Sequence, residues 1–99
     1  MNEEFSKKIA KDFGLENMDA RQREEMIEKI GNMLFESVVE RAIDVMDDEV
    51  MKNFEDTVTN AGSDYQKVID FLKTQVSGFD KIVAEEMSRL KRATSGIFA

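Results

Sequence analysis

The chain has 99 residues and a formal net charge of −7, with 14 Lys and Arg side chains against 21 Asp and Glu, and it contains no His, Cys, Pro or Trp. This length favours one domain, because chains divide into several domains only well above roughly 200 residues. Without Cys and His there can be no disulfide, thiolate nucleophile, imidazole metal ligand or imidazole proton shuttle, which excludes most familiar active sites.

A short first helix is predicted within residues 1–14. Phe5, Ile9 and Phe13 recur at four-residue intervals, which is the spacing of one helical face. Gly14 is expected to end this helix, because glycine adopts the left-handed conformation at the lowest cost.

A long second helix is predicted over about residues 20–46. Asp19 is expected to cap its first turn together with Gln22, in a capping box. One apolar stripe of this helix contains Met26, Ile27, Ile30, Met33, Leu34, Val38 and Val45. A second apolar set lies on the other side and contains Phe35, Val39, Ile43 and Met46. Such a helix is either wrapped by its neighbours or shared with another chain, and we favour the first because five amphipathic segments need a common helix to pack around.

Three further helices are predicted in the rest of the chain. The third is expected to start at Asp47 and Asp48 and to stop at Gly62, with Val50, Met51, Phe54 and Val58 inward. Capping boxes at Ser63 with Gln66 and at Ser77 with Asp80 are expected to open the fourth and fifth. Their predicted inward residues are Tyr65, Val68, Ile69, Leu72 and Val76, then Phe79, Ile82, Val83, Met87 and Leu90. Residues 94–99 are expected to fray, although Ile97 and Phe98 could dock on the core.

The predicted architecture is therefore a single all-α domain over residues 1–99, a compact bundle of four to five helices with a long central helix. The sequence contains no strand candidate with sustained alternation and no internal linker.

The chemistry of the side chains favours a protein that is not an enzyme. The acidic segment near residues 44–56 lacks the central Gly of an EF-hand loop, and the five isolated Gly form no phosphate-binding motif. A serine nucleophile would lack its usual base, and pairs such as Glu85 with Arg89 are interpreted as solvated surface pairs. We predict no catalytic residue, no cofactor and no metal ligand.

Binding to another protein is the function that the sequence favours. A soft apolar set is the first candidate contact surface and contains Phe35, Val39, Ile43, Met46 and Met51. A second candidate surface is acidic and contains Glu36, Glu40, Asp44, Asp47, Asp48, Glu55 and Asp56. It lies in residues 36–56, which carry two basic and eight acidic side chains and thus −6 of the net charge. The plainer interpretation of the apolar set is core packing, and that of the acidic set is solvated helix surface with two helix N-caps.

The partner itself is not specified by the sequence. Self-association as a homodimer and binding of a different protein both remain open. An alternative is an acidic inhibitor that mimics nucleic acid, such as a phage-encoded nuclease antagonist. Direct nucleic-acid or membrane binding is not expected, because the sequence pI is near 4.6 and there is no basic run. With no apolar segment long enough to span a bilayer and no signal-like start, a soluble, cytoplasmic protein is expected.

Several short segments also resemble a known family. They are Glu28-Lys29-Ile30-Gly31, Leu34, Val38, Arg41-Ala42-Ile43, Asp47-Asp48-Glu49, Val68-Ile69-Asp70-Phe71-Leu72-Lys73 and Phe79-Asp80-Lys81-Ile82-Val83-Ala84-Glu85-Glu86. Over roughly residues 20–92 the chain resembles a family of small helical domains of unknown function that is common in bacteria of the candidate phyla radiation (Patescibacteria). The resemblance implies a bacterial, cytoplasmic, all-α domain and carries no activity and no site residues.

Overall fold

The computed structural model describes residues 3–94, with side chains from Ser6 onward, and over this range the fold is all-α, as predicted. The helices are α1 (Glu3–Asp12), α2 (Ala20–Asp44), α3 (Asp48–Ala61), α4 (Tyr65–Gln75) and α5 (Phe79–Ala93). Three predictions fall outside the described residues: the place of the Phe5 side chain on the apolar face of α1, the fraying of the tail after Thr94, and the docking of Ile97 and Phe98 on the core.

Gly14 ends α1 as the sequence predicts. Its φ is 69°, and the amide of Leu15 donates to the carbonyl of Ala10 at 2.8 Å while the amide of Gly14 donates to that of Lys11 at 3.3 Å. These two bonds form the Schellman motif, and Leu15, which follows the glycine, is fully buried. The turn therefore closes the helix and places an apolar anchor in the core.

Asp19 and Asp47 cap α2 and α3 as predicted, but within the described residues no hydrogen bond of the Gln22 side chain completes the predicted capping box. The carboxylate of Asp19 accepts from the amide of Arg21, and that of Asp47 accepts from the amide of Val50, both at 2.8 Å. Each carboxylate satisfies an N–H group that has no partner within the helix and complements the positive end of the helix dipole.

The predicted serine caps are wrong for both later helices. The cap of α4 is Asp64, one residue after Ser63, and its carboxylate accepts from the amide of Gln66 at 3.2 Å. The cap position of α5 is Gly78 with φ 75° and no side-chain hydrogen bond, so Ser77 lies outside the helix. Only three residues separate each of these helices from the one before it, and the last of the three, rather than the serine that precedes it, takes the cap position.

The helix α2 is the central element of the fold. It has 25 residues and is therefore about 37 Å long. It packs against α1 and α5, while α3 packs against α4 and α4 also touches α5. Its buried line contains Ile30, Gly31, Leu34, Val38 and Ala42. The opposite apolar residues Phe35, Val39, Ile43 and Met46 are half-buried against the same core, so both apolar sides are used within the chain. α2 ends two residues before the predicted end at 46.

Four residues predicted to face inward are instead exposed. Met33 and Val58 are each 42% exposed, Tyr65 is 55% exposed and Val45 is 64% exposed. Met33 and Val58 lie at the edges of their apolar stripes, about 60° from Ile30 and Ala61 respectively. Val45 follows the last residue of α2 at its C-terminal cap. Tyr65 is the first residue of α4, and its ring packs at a tilt against the ring of Phe35, with 5.1 Å between the centroids.

The molecule is thin in one direction. Its principal extents are 44 × 25 × 17 Å. The shortest of these corresponds to two helix layers, because the axes of packed helices lie about 9 Å apart. With two layers, α2 is covered on its core side and keeps an outward face in solvent.

Candidate interaction surface

The five apolar candidates are already in use inside the chain. Phe35, Val39, Ile43, Met46 and Met51 are all half-buried and pack against the core. The ring of Phe35 also contacts the ring of Tyr65, the first residue of α4. Only the edges of these side chains remain open to a partner.

The seven acidic candidates are all exposed, and none of them forms an ion pair within the described part of the chain. Asp47 has a structural role as well, since its carboxylate caps α3. Other carboxylates do have cationic partners, for example Glu25, whose Oε1 lies 3.5 Å from Nε of Arg21. The acidic candidates therefore keep their charge available to the outside.

Three of the seven form a continuous row, which we call the acidic ridge: Glu36, Glu40 and Asp44. They follow one another at four-residue intervals on α2. Each interval is a rise of about 6 Å along the helix axis. Val38 is buried. Glu40 points about 160° away from Val38 around the axis, which places the ridge on the outward face of the helix.

The remaining four acidic residues do not join this row. Asp47 and Asp48 lie at the turn into α3, and Glu55 and Asp56 are consecutive on α3. Consecutive residues of a helix point about 100° apart around its axis. The seven carboxylates therefore do not share one face. Glu55 and Asp56 point in different directions from each other, and Asp47 and Asp48 lie at the connection between α2 and α3 rather than on the ridge.

An exposed apolar side chain lies at the start of the acidic ridge. Met33 precedes Glu36 by three residues and Glu40 by seven, so all three lie on neighbouring turns of one helix face. The sequence predicted Met33 in the core stripe, but its side chain is 42% exposed and is therefore open to solvent next to the carboxylates. Its position at the edge of the stripe, next to charged residues, left its orientation open in the sequence.

Sequence reasoning missed an ion-pair cluster between α2 and α5. Arg41 donates from Nη1 to Oε2 of Glu86 at 3.2 Å and from Nη2 to Oε1 of Glu85 at 3.1 Å. Arg89 donates to the other oxygen of Glu86, which is only 4% exposed. The partner of Arg89 is thus Glu86, three residues earlier, and not Glu85 as the helical spacing suggested.

The cluster joins α2 and α5 through charged hydrogen bonds. Hydrogen bonding to Glu85 is the main cause that raises the pKa of Arg41, opposed by partial desolvation and supported by Glu86. Each oxygen of Glu86 accepts a hydrogen bond from a different guanidinium group, that of Arg41 or that of Arg89, and such charge-assisted hydrogen bonds are stronger than neutral ones. The cluster fixes α5 against α2 at the level of Arg41.

A groove of about 630 Å³ lies between α1, α2 and the first residue of α4. Ala10, Ile27 and Tyr65 contribute the apolar lining of the groove, and its charged residues include Glu24 and Glu28, which are exposed.

No group of three or more acidic residues among the side chains described, from Ser6 to Thr94, is arranged to hold a metal ion. None of the helices described is both long and apolar enough to cross a bilayer.

Comparison with known proteins identifies a family but no relative of known activity. No curated protein and no solved structure matches the chain. A family model described as a protein of unknown function (DUF5663) matches residues 9–94, which covers the last four residues of α1 and the whole of α2 to α5. The chain therefore belongs to the DUF5663 family of proteins of unknown function.

Proposed function

We propose that the chain is a non-enzymatic protein-interaction domain that binds a basic segment of a different protein along the outward face of α2. The observation that carries the proposal is the acidic ridge, whose three carboxylates are exposed and without ion pairs within the described residues. We also propose the bacterial cytoplasm, and bacteria of the candidate phyla radiation, as its setting, on the strength of the family resemblance alone.

The ridge is unfavourable for the isolated helix. Carboxylates four residues apart repel each other, at a cost of about 0.2–0.5 kcal/mol for each of the pairs Glu36–Glu40 and Glu40–Asp44. Lys or Arg side chains of a partner would relieve this repulsion. The concentration of −6 of the net charge within residues 36–56 would also steer a basic partner toward this face during encounter.

Apolar contacts at the ridge would add to the affinity. Met33 offers an exposed, flexible thioether at one end of the ridge, and methionine adapts well to partner surfaces. Val39 and Ile43 lie beside the ridge with part of each side chain open. A partner segment with alternating basic and apolar residues fits this combination.

A second copy of the chain is a poorer occupant of the same face. Two copies related by a two-fold axis would bring one acidic ridge against the other, and like charges in apposition oppose association. Self-association remains a candidate only through another surface. Sedimentation over a range of protein concentrations tests it, and a monomer at every concentration would exclude it.

The alternative, a mimic of nucleic acid, receives less support from the geometry. Duplex DNA carries one charge per about 1.7 Å along its axis, whereas the acidic ridge carries one per about 6 Å, roughly 0.3 of that density. The other four acidic candidates would have to supply the difference, but they point in other directions.

A pair of charge-matched variants tests the proposal. The ridge variant is Glu36→Gln, Glu40→Gln, Asp44→Asn, and the control variant is Glu24→Gln, Glu25→Gln, Glu28→Gln in the first half of the same helix. Both change the net charge by +3. The control also removes the Arg21–Glu25 ion pair, which is exposed and therefore contributes little to stability. Circular dichroism checks that each variant keeps its helical content.

Each variant and the unmodified chain would then serve as bait in affinity purification from the native host, with quantification by mass spectrometry. We expect a partner with a Lys/Arg-rich segment that the control variant retains, the ridge variant loses, and added salt releases. Equal retention by the ridge variant would reject the acidic ridge as the binding surface. Purified components would then show whether the interaction is direct.

A further inference from the structure

No further inference is drawn: the strongest candidate, the open groove between α1, α2 and the first residue of α4 that Ala10, Ile27 and Tyr65 help to line, carries nothing because nothing in the structure shows what covers it.

Discussion

Leu34 and Met33 are neighbours on α2, yet their truncation to alanine should affect stability very differently. Leu34 is 1% exposed, whereas Met33 is 42% exposed. Leu34→Ala removes three buried carbon atoms, worth about 2.4 kcal/mol at about 0.8 kcal/mol per carbon group. The cavity that remains in the core brings the expected loss in free energy of unfolding to about 3–4 kcal/mol.

Met33→Ala is the matched control on the same turn of the helix. It removes a similar number of atoms, but from an edge that solvent already reaches, so no closed cavity forms. Alanine is also a better helix former than methionine. The expected loss is therefore about 1 kcal/mol or less.

Urea denaturation followed by circular dichroism measures both losses. The two variants should share one slope against urea, so the midpoint shift of Leu34→Ala is expected to be at least about three times that of Met33→Ala. Equal shifts would refute the placement of Met33 at a solvent-exposed edge. A Met33→Ala loss that appeared only at high protein concentration would instead reveal that Met33 is buried between copies.

Three other substitutions test individual features by the same denaturation assay. Asp47→Ala should lower the free energy of unfolding by about 0.5–2 kcal/mol because it removes the cap of α3, whereas Asp47→Ser should keep most of that stability. An unchanged stability of Asp47→Ala would contradict the capping role. Gly78 has a φ of 75°. Gly78→Ala should therefore lower the free energy of unfolding by about 1–2 kcal/mol, and Gly78→Asn should lower it less. If Gly78→Ala were as stable as the unmodified chain, the turn would not require the left-handed conformation. Glu86→Gln should lower the midpoint more than Glu85→Gln, because Glu86 is buried and holds two guanidinium groups; the reverse order would contradict the cluster.

Local signals were sufficient wherever the partners lie within a few residues of each other. Gly14 ends α1, Asp19 caps α2 and Asp47 caps α3, because each hydrogen bond closes over two to five residues and depends only on the local chain. The same logic failed at Ser63 and Ser77. At those turns only three residues separate one helix from the next, and the last of the three, Asp64 or Gly78, became the cap.

The candidate surface was predicted only in part. The acidic ridge follows from the four-residue spacing of Glu36, Glu40 and Asp44, which places them on one face of any helix. Which face of α2 would remain open depends on where α1 and α5 pack. The exposure of Met33 at the start of the ridge could therefore not be read from periodicity, since an edge residue is inward or outward according to its neighbouring helix.

The sequence by itself determined the helices, most of their ends, the all-α class and the uneven distribution of charge. These properties arise from interactions between residues close together in the chain, and the missing Pro leaves few places where a helix must break. Only the tertiary structure decided that both apolar sides of α2 are used within the chain and that Glu86 meets Arg41 across 45 residues. Such contacts depend on how helices distant in sequence pack, because packing selects one partner among many with similar local patterns.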